Sequence, residues 1–262
     1  MATPQGAALS AGIFFAGFTS LPLMLNSRML LQDCFSPLVA PELVAPAAVA
    51  SFVGYVSLAN SAGRVAIGPL SDAAGLRAAY ALCALQIPAV LSLPAIAGNA
   101  PADPEKALAL WKVATCAVPA FYGGYVVLLA PAVARTFGSR RVGSVFPRIF
   151  AVLNLSNLAS STVIGRQREA AMEAAATDLA GFVDDAVFLE HFGTAKTDLA
   201  RLVAVKTCTI PSLLAIAPAG TPDPSPLIHH DTLHLLGWTS ALAVACHAGA
   251  LWLGPRPTAA PR

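Results

Sequence analysis

The stretch Gly68-Pro-Leu-Ser-Asp-Ala-Ala-Gly-Leu-Arg77 is a short charged segment between two long apolar runs. The flanking residues 43–63 and 78–102 contain no Asp, Glu, Lys or Arg. A helix needs about 20 predominantly apolar residues to cross the hydrocarbon core of a bilayer. We therefore interpret the stretch as the turn between two membrane-spanning helices, and this interpretation decides the fold class.

The composition of the whole chain indicates the same class of protein. Hydrophobic residues make up 56% of the 262 residues and charged residues only 11%, too few to cover the surface of a soluble domain. The net charge of +2 comes without a basic cluster interleaved with aromatics, so no nucleic-acid partner is predicted. The chain has no phosphate-binding glycine loop, no Gly-x-Ser-x-Gly elbow and no Cys-x-x-Cys pair. We therefore predict neither an enzyme nor a cofactor.

Six charge-poor runs predict an all-α, polytopic membrane protein whose partner is the lipid bilayer. The predicted helices lie near residues 8–31, 44–69, 79–98, 108–136, 143–165 and 233–254. A seventh run, residues 207–222, is 16 residues long and contains three prolines, so it is too short and too broken to span. Residues 1–165 thus hold five helices, 166–231 form a long extracytoplasmic loop with amphipathic helices, and 232–262 hold the last helix and a cytoplasmic tail.

The charged residues predict which ends of the helices face the cytoplasm. The connection near residues 137–147 and the C-terminal tail carry Arg140, Arg141, Arg256 and Arg262. The opposite side receives 13 of the 14 acidic residues and leaves Asp72 as the exception. Because arginines in short loops mark the cytoplasmic side, the arginine side is predicted to face the cytoplasm. A cleaved signal peptide is the alternative for the first run, which lacks the basic start such peptides have.

The charged turn also carries a motif. The pattern Gly-x-Leu-x-Asp-x-x-Gly-x-Arg is filled by Gly68, Leu70, Asp72, Gly75 and Arg77. It resembles the signature loop of major facilitator superfamily transporters, where it joins the second and third helices of a six-helix half. Residues 60–64, 122–124 and 135–144 resemble the oxalate/formate antiporter and monocarboxylate carrier branch, in its C-terminal half. The resemblance implies a six-helix bundle equivalent to half a major facilitator fold, with the motif as a conformational latch.

The resemblance also bears on function and assembly. A complete carrier of this superfamily has two six-helix halves with the transport path between them, and this chain resembles one. Because Met1 stands shortly before the first predicted helix, we expect either a fragment of a longer carrier or a half-carrier that pairs with a second six-helix half. The implied activity is transport of a small organic anion, monocarboxylate-like, by alternating access. A non-transporting membrane scaffold or accessory subunit derived from a carrier is the alternative.

Arg64 is the best candidate for binding the anion. It follows Ser57 and Ser61 at i, i+4 and i+7, so the three side chains share one helix face, and a guanidinium can hold a carboxylate by two hydrogen bonds. The alternative is that Arg64 extends into the lipid headgroups. The resemblance adds Tyr122 as a candidate.

The fifth predicted helix carries a polar stripe, Asn154, Asn157 and Ser161. The stripe either lines a hydrophilic cavity, in which case Asn154 and Asn157 bind substrate, or joins neighbouring helices. This helix has no Lys or Arg between Arg148 and Arg166. Dicarboxylate carriers of the branch are expected to keep a basic residue there, and its absence argues against oxalate.

Asp72 is the acid on an otherwise basic face, so we expect it to pair with Arg77, Arg135 or Arg141 or to cap the third helix. We expect Gly68 and Gly75 to permit a tight backbone and close helix approach there.

Histidines and cysteines raise three further alternatives. His229, His230, Asp231 and His234 have metal-ligand side chains, but the chain's five histidines are too few for a di-metal centre. No metal is predicted, and Asp231 or Thr232 is expected to cap the last helix. His247 is the one candidate for a proton relay in a helix interior, although a structural role is favoured. Cys34 and Cys208 both fall on the acidic side, where a disulfide between them is left open.

Overall fold

The computed structural model describes residues 3–252, and within that range the chain is helical, without strands. The α-helices there are α1 Pro4–Leu25, α2 Ser27–Phe35, α3 Pro46–Ala74, α4 Leu76–Cys83, α5 Gln86–Gly98, α6 Pro104–Phe137, α7 Val142–Phe182, α8 Asp185–Phe192, α9 Leu199–Ala204, α10 Ile210–Ile216 and α11 His230–Trp252. Short 3-10 turns occupy Pro41–Val44, Ser139–Arg141, Lys196–Asp198 and Ser225–Leu227.

Within the described residues, helices occupy each of the six predicted positions. Residues 253–254 of the last predicted helix and the predicted tail with Arg256 and Arg262 lie outside the described residues. The first predicted helix is α1 followed directly by α2, and the third is α4 followed by α5 after a break at Ala84 and Leu85. The predicted end of the fifth helix is wrong, because α7 continues to Phe182 and is 41 residues long. At 1.5 Å per residue this is about 60 Å, twice the thickness of a hydrocarbon core. The extension is rich in alanine and glutamate, which favour helix.

Within residues 3–252, four helical segments are long and apolar enough to cross a membrane, and α3 and α11 are not among them. The four are Pro4–Leu25, Leu76–Gly98, Pro104–Phe137 and Ser139–Phe182. Large apolar side chains also face outward on several helices, and Val65, Leu158 and Trp238 are each about two-thirds or more exposed. Such outward apolar surface is unusual for a soluble monomer and suits hydrocarbon surroundings. The described residues are thus compatible with a membrane protein.

Helices α1 and α6 lie at the centre of the bundle. Helix α1 packs between α11 and α7, α6 packs between α3 and α5, and the two central helices touch each other. One buried apolar cluster includes Phe35 and Trp111, whose ring centroids are 5.5 Å apart. A second includes Tyr80 and Tyr125. Helices α3 and α7 therefore lie on opposite sides of the central pair.

Side-chain contacts define the two ends of the bundle. At one end Asp33, near the end of α2, contacts Arg168 within α7 and His229 just before α11; we call this the acidic end. At the other end the Arg77 guanidinium donates to the Leu251 carbonyl, 3.3 Å away; we call this the arginine end. The helices therefore alternate in direction along the chain, as the predicted turns require.

Residues 183–229 form a layer at the acidic end. Helices α8 and α9 lie where amphipathic helices are predicted, and Asp184 caps α8 by accepting from the Ala186 amide at 2.8 Å. In the run 207–222 the only described helix is α10, which has seven residues and is too short to span. Phe188, Leu213 and Cys208 belong to a third apolar cluster that covers the extension of α7. Cys34 and Cys208 are both free thiols, so the disulfide left open above is not formed.

Candidate functional site

The latch motif lies at the arginine end, but most of it is helical rather than a loop. Helix α3 continues through Gly68, Pro69 and Asp72 to Ala74, and only Gly75 separates it from α4. The predicted loop from Gly68 to Arg77 is therefore wrong in extent. Gly75 has φ 86° and ψ 157°, a conformation that essentially only glycine adopts. Gly138 ends α6 at the same end of the bundle with φ 86° and ψ 147°.

Gly68 and Leu70 contribute to packing in different ways. A Cβ atom on Gly68 would lie 3.7 Å from Val127 Cγ1, which is an ordinary contact. The predicted role of Gly68 in close helix approach is therefore wrong. Leu70 is partly buried against the second apolar cluster.

The predicted partners of Asp72 are also wrong. Asp72 is exposed and makes no ion pair within residues 3–252. It caps no helix, because α4 begins after Gly75 without a side-chain cap. The motif instead contacts the rest of the bundle through Arg77, which holds the last turn of α11 by its bond to Leu251.

The crossing of α3 and α6 is made by glycines. Gly63 lies directly against the backbone of Ala120, and Gly123 lies against the backbone carbonyl of Asn60. A Cβ atom on Gly124 would be 2.7 Å from Ile67 Cγ1. Small residues let helix backbones approach closely where lipid gives no hydrophobic drive for association. Gly123 and Gly124 are thus part of the contact between α3 and α6.

This crossing brings together Arg64 and Tyr122, two of the predicted substrate residues. Arg64 Cγ lies 3.2 Å from the position that a Cβ atom on Gly123, the neighbour of Tyr122, would take. Tyr122 is buried, whereas Arg64 is exposed. Asn60 lies one turn before Arg64, and its buried Oδ1 has no hydrogen-bond partner in the described part of the chain. We call Asn60, Arg64 and Tyr122 the Arg64 site. It offers an exposed cation to a bound molecule, with a largely buried phenol beside it, while the Asn60 oxygen is enclosed against Gly123.

Ser57 and Ser61 are exposed beside Arg64 on α3. Each hydroxyl donates at 3.1 Å to a carbonyl one turn earlier, on Val53 and Ser57 respectively. No ion pair involves Arg64 among the described residues.

Asn154 and Asn157 do not join the Arg64 site. They lie on α7, which the central helices α1 and α6 separate from α3. Asn154 is exposed, and Asn157 is half-buried with an Oδ1 that lacks a described partner. Helix α7 is held to α1 by a residue outside the predicted stripe, since the Ser156 hydroxyl donates to the Phe14 carbonyl at 2.5 Å.

His247 packs inside the bundle. Its ring stacks on Tyr80 with centroids 4.8 Å apart and lies 5.0 Å from the ring of Tyr125. Nδ1 donates to the Ala243 carbonyl at 2.7 Å. A Cβ atom on Gly12 would be 2.6 Å from the imidazole. The lack of a side chain at Gly12 therefore leaves the space in which the ring packs.

Three residues at the acidic end form a contact that sequence reasoning missed. Asp33 accepts from Nε and Nη2 of Arg168 at 2.6 and 2.9 Å, and from Nε2 of His229 at 2.8 Å. Burial raises the pKa of Asp33, but the hydrogen bonds from His229 and Arg168 and their charges outweigh burial and hold that pKa below its ordinary value. We call these residues the Asp33 cluster. They are far apart in sequence, so no local pattern signals them.

The residues of the histidine group make two separate contacts. His229 is bound to Asp33, while His230 and His234 contact each other with ring centroids 4.6 Å apart. Within residues 3–252 no three His, Cys, Asp or Glu side chains are placed to hold a metal. The predicted cap of the last helix is wrong, because α11 begins at His230; Thr232 lies within it and donates to Gln167 Oε1 at 3.0 Å.

Comparison of the chain with protein-family models, curated proteins and solved structures gave no match. The class of protein therefore rests on the fold and the site alone, and they define it only broadly. The described chain is an all-helical protein with four helices long and apolar enough to span a bilayer.

Proposed function

We propose that the chain is a multi-pass membrane protein of six spans that forms one half of a carrier for a small organic anion of the monocarboxylate class. The carrier works by alternating access once a second six-helix unit faces the Arg64 site. The single observation that carries this proposal is the exposed Arg64 on α3, next to the Tyr122-Gly123 step of α6.

The surface of the bundle supports the membrane part of the proposal. Charged side chains collect at the two ends: Arg77, Arg140 and Arg141 lie toward the arginine end, and the Asp33 cluster lies at the other. Between the ends, large apolar side chains point outward. Because hydrocarbon tolerates apolar side chains and disfavours charges, this arrangement favours spans that run from end to end.

The position of Arg64 supports the carrier part. An arginine within a transmembrane helix is costly when it faces lipid, so such residues usually face a water-filled path or a protein partner. Because Arg64 lies on the exposed side of α3, a second protein unit is a more favourable neighbour for that side than lipid. A guanidinium there supplies the two parallel donors that a carboxylate accepts. The Arg64 site thus combines the charge and the hydrogen-bond donors that an organic monoanion needs.

We propose that Asp72 forms an ion pair only in the complete carrier, when the second unit is present. Asp72 is exposed and free of ion pairs among the described residues, so it is accessible to a basic residue on the second unit. Such a contact in one access state would give the motif its latch role. The chain alone would then leave Asp72 in water at the arginine end.

Uptake into proteoliposomes tests the proposal. Helix α1 begins and α11 ends at the arginine end, where the Gly12 backbone packs on His247, so two copies can be linked in tandem by a short tether. We expect saturable uptake of radiolabelled formate, lactate or pyruvate by this tandem. Replacing Arg64 by glutamine in both copies should lower uptake by about tenfold or more, the loss expected for a charged hydrogen-bond donor.

The matched control is Arg28→Gln, because Arg28 is an exposed arginine that donates to Gln32 Oε1 at 3.2 Å on the surface of α2. Its uptake should equal that of the unsubstituted tandem. Folded tandem protein that takes up none of the three anions would contradict transport and favour the accessory-subunit alternative. Uptake that survives Arg64→Gln would remove Arg64 from the substrate site.

A further inference from the structure

We infer that a cavity at the acidic end is a binding site for an amphipathic monocarboxylate, a molecule with one carboxylate and an aliphatic tail. The cavity has a volume of about 590 Å³, within the range of about 300–1,000 Å³ typical of small-molecule sites. It lies between α2, α7, α10 and the turn after α9. It does not include the Arg64 site, so the inference concerns a different part of the chain.

The wall of the cavity is mainly apolar. Six of the side chains that form it are Pro37, Met172, Ala176, Val203, Ile210 and Leu214. Polar groups enter this wall at a few places, among them Gln32, Ser36 and Thr209. A mostly apolar lining with a few placed polar groups is the usual character of a small-molecule pocket. The apolar part selects a ligand with a hydrocarbon body.

The charges around the cavity select the head group of that ligand. Asp33 is the one acid among the described lining residues, and Arg168 and Lys206 are the lining cations. Asp33 occupies only the Nε and Nη2 edge of Arg168, and Nη1 makes no hydrogen bond within residues 3–252. The guanidinium therefore keeps donors for a second carboxylate. Among the lining side chains, Asp33 offsets one of the two cations and leaves one positive charge, which matches a monoanion.

Lys206 holds an unusual position on this wall. It is the one described non-glycine residue with positive φ, at 58°. It follows the end of α9, where the Lys206 amide bonds to the Val203 carbonyl and the Thr207 amide bonds to the Leu202 carbonyl. This pattern is a Schellman ending, whose left-handed position usually holds glycine. A lysine there carries a steric cost. Its ammonium makes no ion pair within residues 3–252, and the residue lines the cavity.

The occupant that fits these features is a monocarboxylate with a chain of about ten carbons, because each buried methylene favours binding and the carboxylate pairs with Lys206 and the free edge of Arg168. A short carboxylate such as acetate lacks the apolar part, and an uncharged amide of the same chain lacks the head group. These two molecules therefore serve as matched probes of the two halves of the site.

Calorimetric titration of the full chain in zwitterionic lipid nanodiscs tests the inference, with empty nanodiscs as the reference for partitioning into lipid. Nanodiscs replace detergent, which would itself occupy an apolar cavity. We expect decanoate to bind saturably, and decanamide and acetate to bind at least about tenfold more weakly. Equal binding of decanoate and decanamide, or decanoate signal no larger than with empty nanodiscs, would overturn the inference.

Lys206→Gly separates binding from folding. Glycine suits the left-handed position, so this variant should unfold at the same or a higher temperature while its decanoate affinity falls about tenfold. Arg201→Gln is the control, because Arg201 is an exposed cation on α9 that does not line the cavity, and its affinity should be unchanged. Equal losses in the two variants, or none in Lys206→Gly, would overturn the assignment of the head group.

Leu214→Trp provides a second test by filling the apolar part of the cavity. It should remove decanoate binding, and its melting temperature is measured alongside to verify that the protein is folded. Folded Leu214→Trp protein that still binds decanoate would overturn the location. None of these measurements requires transport. The proposed binding site and the proposed carrier activity can therefore each be contradicted without the other.

Discussion

Replacing Asp33 by asparagine is expected to destabilise the protein by about 3–5 kcal/mol, the range for removing one partner of a buried ion pair. Asp33 is 13% exposed and His229 is fully buried. Asparagine removes the negative charge and keeps only one acceptor oxygen, so an NH2 group faces either Arg168 Nη2 or the donors Arg168 Nε and His229 Nε2. The other nitrogen of His229, Nδ1, already lacks a hydrogen bond in the described part of the chain, so the imidazole depends on residue 33 for its hydrogen bond.

Heating in nanodiscs with tryptophan fluorescence as the readout measures this effect. Trp111 packs on Phe35, two residues from Asp33, so its part of the emission of the three tryptophans reports on the acidic end. Asp185→Asn is the control, because Asp185 pairs with Lys196 at 2.7 Å but is 89% exposed. Exposed pairs contribute about 0–1 kcal/mol, so its melting temperature should hardly change. Similar melting temperatures for Asp33→Asn and the unsubstituted protein would contradict a structural role for the cluster.

Acid should weaken the same contact. The pKa of Asp33 in the folded protein lies below its ordinary value of 3.8, so the carboxylate contributes stability that is fully present above that value. This contribution is lost as the pH falls through the lower folded pKa. The difference in melting temperature between the unsubstituted protein and Asp33→Asn should therefore shrink below about pH 4.

Replacing Gly63 by valine should have the second largest effect, about 3 kcal/mol, because overpacking at a helix contact forces the backbones apart. The space beside Gly63 is filled by the Ala120 backbone, including its carbonyl oxygen, which cannot rotate away as a side chain can. We expect a lower melting temperature and weaker protection of α3 and α6 amides in hydrogen exchange.

Gly54→Val is the matched control on the same helix. A Cβ atom at Gly54 meets nothing within 4 Å, so this variant places the same side chain on α3 without touching α6. It should be close to the unsubstituted protein in stability. If the two variants were equally stable, the close crossing of α3 and α6 would be contradicted.

The positions of the helices were predictable because length and charge constrain them strongly. Runs such as residues 78–102 are free of charge over more than 20 residues, and the helices α4 and α5 lie there. The extension of α7 was not predicted, since Arg166, Arg168 and Glu169 end the apolar run without ending the helix. Apolar length predicts where a chain fits a bilayer, whereas helix propensity and the absence of breakers decide where the helix stops.

The contacts between distant residues were less predictable. The Tyr122-Gly123-Gly124 step predicts small residues at a helix crossing, and Gly123 and Gly124 do lie against α3. The Asp33 cluster joins residues separated by 135 and 196 positions, and no spacing rule connects them. The pairing expected for Asp72 assumed a loop, and the continued helix carries the carboxylate away from Arg77.

Accessibility of epitope tags in intact cells tests most directly whether the chain crosses the bilayer with its arginine end in the cytoplasm. One tag is inserted after Gly193, in the exposed turn that follows α8 at the acidic end, and another after Gly138, in the exposed turn after α6. Antibody should reach the Gly193 tag in intact cells and the Gly138 tag only after permeabilisation. Reversed accessibility, or protein that stays in solution without detergent, would contradict six spans in this orientation.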